Sequence, residues 1–238
     1  YGHLPFDNTD EYMLKHLDKE WKQKQIWKNI DQPYELDFHH TKNYRWTDNP
    51  KSLWATGWDK QFNWTCGFDK KHFKDDDAIL DLGCGSKPAL EWFETGDKYH
   101  LDPLMDEFVK IPAMKKYWKD IPKNRIINEP AEILNSDWID KFSFILCWNV
   151  LDHTYDWKKV IDNIHLYLKN DGLFLVGNDF HFPGLGHPGV GDKQEYLTYL
   201  KERFKVKKMC DESNKKDRYG NHKCFLMGRD ISLLLVKK

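Results

Sequence analysis

The chain has 238 residues, and its 37 lysines and arginines nearly balance 38 aspartates and glutamates, for a net charge of −1. This balance gives no overall attraction to nucleic acid or to a membrane surface, and no apolar run approaches the roughly 18 residues of a spanning helix. The five cysteines are odd in number and form no Cys-x-x-Cys pair, so neither a disulfide framework nor a zinc or other metal site is expected. Cysteines without a disulfide pattern are typical of a reducing compartment, which predicts a cytoplasmic location.

Residues 1–76 are predicted to be an extension rather than a second folded core. A cap-like Asn8-Thr9-Asp10-Glu11 start and the absence of Gly and Pro up to Ile30 predict a helix over residues 8–30. Residues 31–76 are rich in Trp, Tyr, His and Asn without a regular period. These aromatic side chains either form a lid that stacks on substrate or cofactor, or attach the extension to the main domain.

From residue 77 to residue 238 strands alternate with helices, which predicts an α/β domain with a mostly parallel sheet covered on both faces. Strands are expected at 78–82, 98–102, 125–128, 142–148 and 172–178. Helices are expected at 88–95, 103–118, 156–169 and 194–203. A strand at 204–210, a polar loop at 211–221 and a returning strand within 223–236 complete the pattern.

The most informative stretch reads Ala-Ile-Leu-Asp-Leu-Gly-Cys-Gly-Ser-Lys-Pro, from residue 78 to residue 88. Its apolar start suits a buried parallel strand, and Asp81 places a carboxylate near the carboxyl end of that strand, where open α/β sheets bind ligands. Gly83 and Gly85 allow a sharp turn and a close ligand approach, although Gly-x-Gly is also found in simple tight turns. Pro88 stands where a dinucleotide fingerprint has its third glycine, which argues against a nicotinamide dehydrogenase.

Four segments, in the right order, resemble class I S-adenosylmethionine-dependent methyltransferases. Asp-Leu-Gly-Cys-Gly at 81–85 is similar to the first motif, and Tyr-His-Leu-Asp-Pro-Leu at 99–104 to the second strand with its acidic end. Residues 142–153 are similar to the fourth strand and its following loop. Residues 168–176 are similar to the turn into the fifth strand, with Asn-Asp-Gly in place of the usual proline and first glycine.

This resemblance, to the type-11-like small-molecule enzymes in particular, implies a fold. The expected fold is a Rossmann-like, doubly wound, seven-stranded and mostly parallel sheet with an antiparallel edge hairpin. The helical and aromatic extension of residues 1–76 precedes this domain of residues 77–238.

The resemblance also implies S-adenosylmethionine as the cofactor. The methionine end is expected at the glycine turn, the ribose at the Asp102 carboxylate, and adenine at the segment after the third strand. Pro130 stands where the family often has Asp, so Glu132 is only slightly preferred over Glu129 as the adenine reader. The predicted cofactor contacts are Asp81, Gly83, Cys84, Gly85, Asp102, Pro103, Leu104, Ala131, Glu132, Trp148 and Asn149. Asp102 has a second interpretation, as the cap of the helix that follows it.

Three histidines follow the fourth and fifth predicted strands, on the side where the transferable methyl is expected. His153 is the preferred general base because Asp152 adjoins it, and His181 and His187 are the other candidates. A structural role for each histidine, with transfer achieved by placing the reactants in line, is an equally open interpretation.

The predicted reaction moves a methyl group from S-adenosylmethionine to an O or N atom of a small molecule, such as a sugar, lipid, quinone or secondary metabolite. A nucleic-acid or protein substrate is a less favoured alternative, suggested by the 12 basic against 5 acidic residues of 201–238. The fourth strand ends in Asn-Val-Leu-Asp rather than the Pro-Pro-aromatic signature of DNA amino-methyltransferases. A non-catalytic cofactor-binding module is the other alternative, and the sequence does not indicate an oligomeric state.

Overall fold

The computed structural model describes Trp58 and residues 60–85, 87–109, 117–180, 189–211 and 231–238. The predicted helix at 8–30, nearly all of the loop at 211–221, and both His181 and His187 lie outside these residues. No helix within the described residues combines the length and apolar character needed to cross a membrane.

Seven strands form one sheet in the order β3-β2-β1-β4-β5-β7-β6. The strands are β1 (Ala78–Leu82), β2 (Asp97–Leu101), β3 (Ile126–Ile127), β4 (Phe142–Trp148), β5 (Leu168–Asn178), β6 (Phe204–Asp211) and β7 (Ile231–Lys237). All pairings among β1 to β5 are parallel, whereas β7 is antiparallel to both β5 and β6. The predicted doubly wound fold with an antiparallel edge is therefore confirmed.

The strand order reverses between β1 and β4, which are hydrogen-bonded neighbours. From β1 the chain continues to β2 and β3 on one side, and from β4 it continues to β5 on the other. Such a switch point leaves a crevice at the carboxyl ends of the two strands, which is where open α/β sheets bind ligands. All five residues of β1 are buried, as expected for a central parallel strand.

The described α-helices follow the predicted bounds only in part. They are α1 (Met105–Phe108), α2 (Trp157–Tyr167) and α3 (Lys193–Arg203). The side chain of Asp156 caps α2 by accepting from Lys159 N, and that of Asp192 caps α3 by accepting from Glu195 N. The prediction of one helix over 103–118 is tested only in part, because residues 110–116 lie outside the described residues.

Two predicted boundaries are wrong, and each has a local cause. The helix expected at 88–95 is a single 3₁₀ turn, Ala89–Trp92, because the backbone becomes extended at Phe93 (φ −77°, ψ 140°) and Glu94 N donates to Lys70 O instead of continuing the helix. Strand β5 begins at Leu168 rather than at 172, and the predicted turn becomes an irregularity within the strand, with Asp171 at φ 60°. Helix α2 consequently ends at Tyr167, two residues before its predicted end.

One face of the sheet is covered by an aromatic layer from the segment that precedes β1. Phe62 is fully buried and its ring centroid lies 4.8 Å from that of Phe93. Phe73 stacks on Phe144 of β4 with ring centroids 5.3 Å apart. The described part of the predicted extension thus packs on the sheet, while the domain boundary at residues 76 and 77 stays a prediction.

We expect Phe62→Ala to lower the free energy of unfolding by about 3–5 kcal/mol, because it removes a fully buried ring and leaves a cavity. The neighbouring exposed Asn63 offers a control, and Asn63→Ala should change the free energy of unfolding by less than about 0.5 kcal/mol. Denaturant titration of both variants measures the difference. A loss below about 1 kcal/mol for Phe62→Ala would mean that this segment is only loosely attached.

Candidate active site

The glycine turn lies at the switch point, directly after β1. Gly83 has φ 73°, and its amide donates to the carbonyl oxygen of Leu101 at 2.7 Å. A Cβ on Gly83 would lie 2.2 Å from Val150 Cγ2, so packing against the loop after β4 requires a glycine there. Gly85 has φ 61°, and apart from its chain neighbours no atom of the described residues lies within 4 Å of the position that a Cβ would take. As far as the described residues go, its left-handed backbone borders open space, as a close approach of a ligand requires.

The Asp102 carboxylate joins this turn to the end of β2. Gly85 N donates to Asp102 Oδ2 at 3.0 Å, and Leu104 N donates to Asp102 Oδ1 at 2.9 Å. Asp102 is therefore both an anchor of the turn and a cap of the following backbone, which was its second interpretation from the sequence. An ionised carboxylate accepts about four hydrogen bonds, so this anchoring is compatible with accepting from ribose hydroxyls.

Asp81 faces inward beneath the turn. Its Oδ2 accepts from Ala89 N at 2.9 Å, which fixes the start of the 3₁₀ turn. The same oxygen lies 3.9 Å from Nδ1 of His100, a fully buried residue of β2. Nε2 of His100 lies 3.4 Å from Glu91 Oε1. Burial lowers the pKa of His100, but contacts with Asp81 and Glu91 outweigh it, so the pKa is raised above its ordinary value.

An apolar cluster lies beside Asp102, on the side predicted for adenine. Its buried members are Cys84, Leu104, Met105, Phe108 and Trp118. Pro103 is buried next to it. The Cys84 thiol donates to Met105 Sδ at 3.5 Å. Burial, reinforced by Asp102 and Asp81, raises the pKa of the Cys84 thiol well above its usual range, so the thiol stays neutral and packs as an apolar group.

The segment after β3 is tied to the loop after β4. Ala131 O accepts from Asn163 Nδ2 of α2 at 2.9 Å. Glu132 is fully buried, and its Oε1 accepts from Tyr155 N at 3.1 Å. Among the described residues its Oε2 has no hydrogen-bond partner. Burial raises the pKa of Glu132 to about 7, although hydrogen bonds from backbone amides act in the opposite direction. Glu132 thus joins the predicted adenine segment to the loop that carries His153.

The end of β4 is shaped by a glycine on the neighbouring strand. Trp148 is half-buried. A Cβ on Gly177 would lie only 2.7 Å from the Trp148 ring, so this close packing requires a glycine at that position. Trp148 also meets Trp58 edge to face, with ring centroids 5.6 Å apart. Asn149 follows with φ 59°, and its amide donates to Gly177 O at 2.8 Å. This left-handed residue turns the chain away from the sheet and towards the predicted acceptor side.

The loop after β4 brings three predicted residues together. His153 Nε2 lies 3.4 Å from Asn149 Nδ2 and 3.7 Å from Asp152 Oδ2. A contact from the Asn149 amide requires an unprotonated Nε2, whereas attraction to Asp152 requires a proton there, so the two contacts favour different protonation states. The side chains of both Asp152 and His153 are buried. The other candidate bases, His181 and His187, lie outside the described residues.

Sequence reasoning missed His100 and the link between Glu132 and Tyr155. The available signal for His100 was a titratable side chain between Tyr99 and Leu101, inside a strand expected to be buried. No comparable signal existed for the Tyr155 contact, because a backbone amide has no sequence signature.

This sheet order, with a glycine turn at the switch point and an acid ending the next strand, defines the class I methyltransferase architecture. Residues 38–181 match a family described as a methyltransferase domain. Because the match spans more than half of the chain, the chain belongs to this methyltransferase family. It is an S-adenosylmethionine-dependent methyltransferase, as the sequence resemblance predicted.

Solved structures with the same fold share little sequence with this chain. The 1,6-didemethyltoxoflavin-N1-methyltransferase of Burkholderia thailandensis, solved with its substrate and S-adenosylhomocysteine, has a TM-score of 0.53 and 17% identity, covering 87% of this chain and 89% of its own. The N-methyltransferase NodS of Bradyrhizobium japonicum, solved with S-adenosylhomocysteine, has a TM-score of 0.56 and 15% identity. The match covers 87% of this chain and 97% of NodS. The [4+2]-cyclase SpnF has a TM-score of 0.58 and 15% identity, and the match covers 91% of this chain and 96% of SpnF. No curated protein matches the chain in sequence.

The raised pKa of Glu132 predicts a pH-dependent stability. The folded chain holds this proton up to about pH 7, whereas the unfolded chain loses it near pH 4.5, so the free energy of unfolding falls as the pH rises through this window. The loss attributable to Glu132 is about 3 kcal/mol at most, since one pKa unit corresponds to about 1.4 kcal/mol.

Glu132→Gln keeps the shape and cannot ionise, so it should equal the parent near pH 4.5 and exceed it in stability above pH 7. Denaturant titrations across this range measure both chains. A constant difference between them at every pH would contradict the assignment.

Proposed function

We propose that this enzyme transfers a methyl group to an oxygen or nitrogen atom of a small-molecule acceptor. The observation that carries the proposal is the hydrogen bond from Gly85 N to Asp102, which holds an open glycine turn against the acid at the end of β2. The turn and the acid lie beside the loop of His153, so a cofactor site and polar side chains that can meet an acceptor occupy one edge of the sheet.

The cofactor supplies an electrophilic methyl group on a positively charged sulfur. Asp102 accepts from the ribose hydroxyls, as its position at the end of β2 favours. Asp81, with the turn of Gly83, Cys84 and Gly85, faces the amino-acid end. Leu104 and the neighbouring Pro103 cover adenine, whose edge is read at the segment of Ala131 and Glu132.

His153 takes the proton of the acceptor at Nδ1, and Asp152 holds the histidine ring in place by facing its Nε2–H. Support comes from the 3.7 Å distance between Asp152 Oδ2 and His153 Nε2. Asn149, at the end of β4, holds the methionine end of the cofactor. Trp148 forms a wall beside the transferable methyl. His181 and His187 remain secondary candidates for the base.

Among the described basic residues near the end of the chain, the position of three lysines favours a small acceptor over nucleic acid. Lys205, Lys207 and Lys208 are exposed on β6, at the outer edge of the sheet and four strands from β1. Lysines on an edge strand are commonly explained by protection against pairing with another chain. The Burkholderia thailandensis enzyme with this fold is an N-methyltransferase named for a small molecule, 1,6-didemethyltoxoflavin, which supports the proposal by analogy only.

The direct test is incubation with S-adenosylmethionine and a panel of hydroxylated and amino-bearing small molecules, with mass detection of a gain of one methyl group. Formation of S-adenosylhomocysteine in step with the methylated product supports the proposal. Binding of the cofactor without transfer to any small molecule, combined with methylation of RNA, DNA or protein, would overturn it. The cyclase with this fold shows why product analysis is needed, since the fold alone does not determine the reaction.

We expect Asp102→Asn to weaken S-adenosylhomocysteine binding by at least about 2 kcal/mol, because two charge-assisted hydrogen bonds to ribose become weaker or are lost. Isothermal titration calorimetry measures the affinity. Asp106→Asn, which neutralises an exposed acid of α1, is the matched control and should leave affinity unchanged. Equal affinity of Asp102→Asn and the parent would remove Asp102 from the site.

We expect His153→Ala to reduce turnover by a factor of about 10²–10⁴ with an O–H acceptor, because the acceptor proton then has no positioned base. Cofactor affinity should be retained, and the titration of turnover near neutral pH should disappear. Turnover within threefold of the parent would instead favour catalysis by reactant positioning, with roughly unchanged pH dependence.

A further inference from the structure

His100 occupies an unusual place for a titratable side chain. It lies on β2, directly opposite Asp81 of β1 in the parallel register, and it is fully buried. The residues on either side of it, Tyr99 and Leu101, belong to the hydrophobic core. A polar ring in such a position is costly unless charged or hydrogen-bonding groups face it.

Two carboxylates face His100 from different elements. Asp81 Oδ2 lies 3.9 Å from Nδ1, and Glu91 Oε1 of the 3₁₀ turn lies 3.4 Å from Nε2. Two uncharged residues also face the ring: Trp118 meets it edge to face at 5.4 Å, and Ile126 of β3 pairs with His100 in the sheet. A cation, Lys98, lies on the far side of Glu91, with its Nζ 3.5 Å from Glu91 Oε2. Two acids around one buried imidazole favour its protonated form.

We propose that His100 is a positioning residue of the cofactor site, and that its proton competes with the cationic amine of the cofactor for the Asp81 carboxylate. This inference rests on the proposed placement of the amino-acid end of the cofactor at Asp81. Asp81 connects the two sites physically, because its Oδ2 is fixed by Ala89 N while lying against the imidazole.

The competition follows from charge. Asp81 is shared between the imidazolium below the turn and the ammonium group of the ligand above it, and one carboxylate attracts two nearby cations less well than one. Binding of the ammonium group therefore favours loss of the His100 proton, and by reciprocity the protonated imidazole weakens binding. Affinity for S-adenosylhomocysteine accordingly rises with pH across the titration of His100, whose pKa the two facing acids raise above its ordinary value.

The experiment measures S-adenosylhomocysteine affinity by calorimetry from pH 6.0 to 8.5. For the parent chain the affinity should fall by about tenfold from the upper to the lower pH, a typical size for coupling between two sites. Titrations in two buffers of different ionisation enthalpy should show net proton release on binding in the middle of this range. The ligand's own amine and carboxylate do not titrate there.

His100→Asn keeps a donor near Asp81 but cannot titrate. It should bind with the affinity that the parent reaches at pH 8.5, nearly independently of pH and without proton release. Glu132, which has a raised pKa of about 7, is unchanged in this variant. A pH dependence that survives in His100→Asn would therefore overturn the inference and point to Glu132.

Glu91→Gln provides a second variant whose side chain is 41% exposed in the parent, so loss of the fold is not expected. Removing one of the two acids stabilises the protonated imidazole less, which lowers the pKa of His100. The midpoint of the plot of S-adenosylhomocysteine affinity against pH should therefore move to lower pH, while the affinity at high pH stays the same. Glu94→Gln removes an exposed charge of the same segment that pairs with Lys71, and it is the matched control with no expected shift.

Two further outcomes are decisive. A parent affinity that does not vary with pH, or a Glu91→Gln profile identical to that of the parent, would overturn the role of His100 while leaving the proposed function intact. Failure of the parent chain to bind S-adenosylhomocysteine at every pH would overturn the proposed function itself, and this inference with it.

Discussion

The Asp102 carboxylate accepts hydrogen bonds from two backbone amides that belong to different parts of the chain, Gly85 after β1 and Leu104 before α1. Through this one group the glycine turn, the end of β2 and the apolar cluster beside it keep a fixed relation. Ordering a loop with two glycines costs much conformational entropy, and these hydrogen bonds offset that cost when the chain folds. The Asp102 carboxylate thus fixes the conformation of the cofactor site before a ligand binds, so the site is preorganised.

The two faces of the sheet stabilise the site in different ways. On one face, α2 and α3 cover β4 and β5 with mostly aliphatic packing. On the other face, a layer of aromatic rings continues from Phe62 to Trp148 at the carboxyl end of β4. Gly177 allows the Trp148 ring to lie flat against β5, so the layer reaches the edge of the site. Rigid aromatic packing of this kind holds side chains with little loss of rotamer freedom.

The sequence was sufficient for the features that depend on local pattern. Alternating apolar runs and the resemblance of the glycine-turn and strand segments predicted the parallel sheet with its antiparallel edge, whereas the residues of the cofactor site stay a prediction. It was insufficient where distant contacts decide, as with the 3₁₀ turn at Ala89–Trp92, the early start of β5 at Leu168, and the contact of Glu132 with a backbone amide. Burial of His100 between two acids likewise depends on strand register, which single-sequence patterns do not reveal.

The two outer strands restrict how copies of this chain can associate. At one edge β3 is only two residues long, and at the other β6 carries exposed lysines and an irregular register between Val206 and Lys208. Short, charged or irregular strands are poor templates for a further strand. As far as the described residues go, a continuous sheet running through two molecules is disfavoured at both ends. Self-association through the described residues is therefore expected to use side-chain surfaces, and aggregation by adding strands to this sheet is correspondingly suppressed.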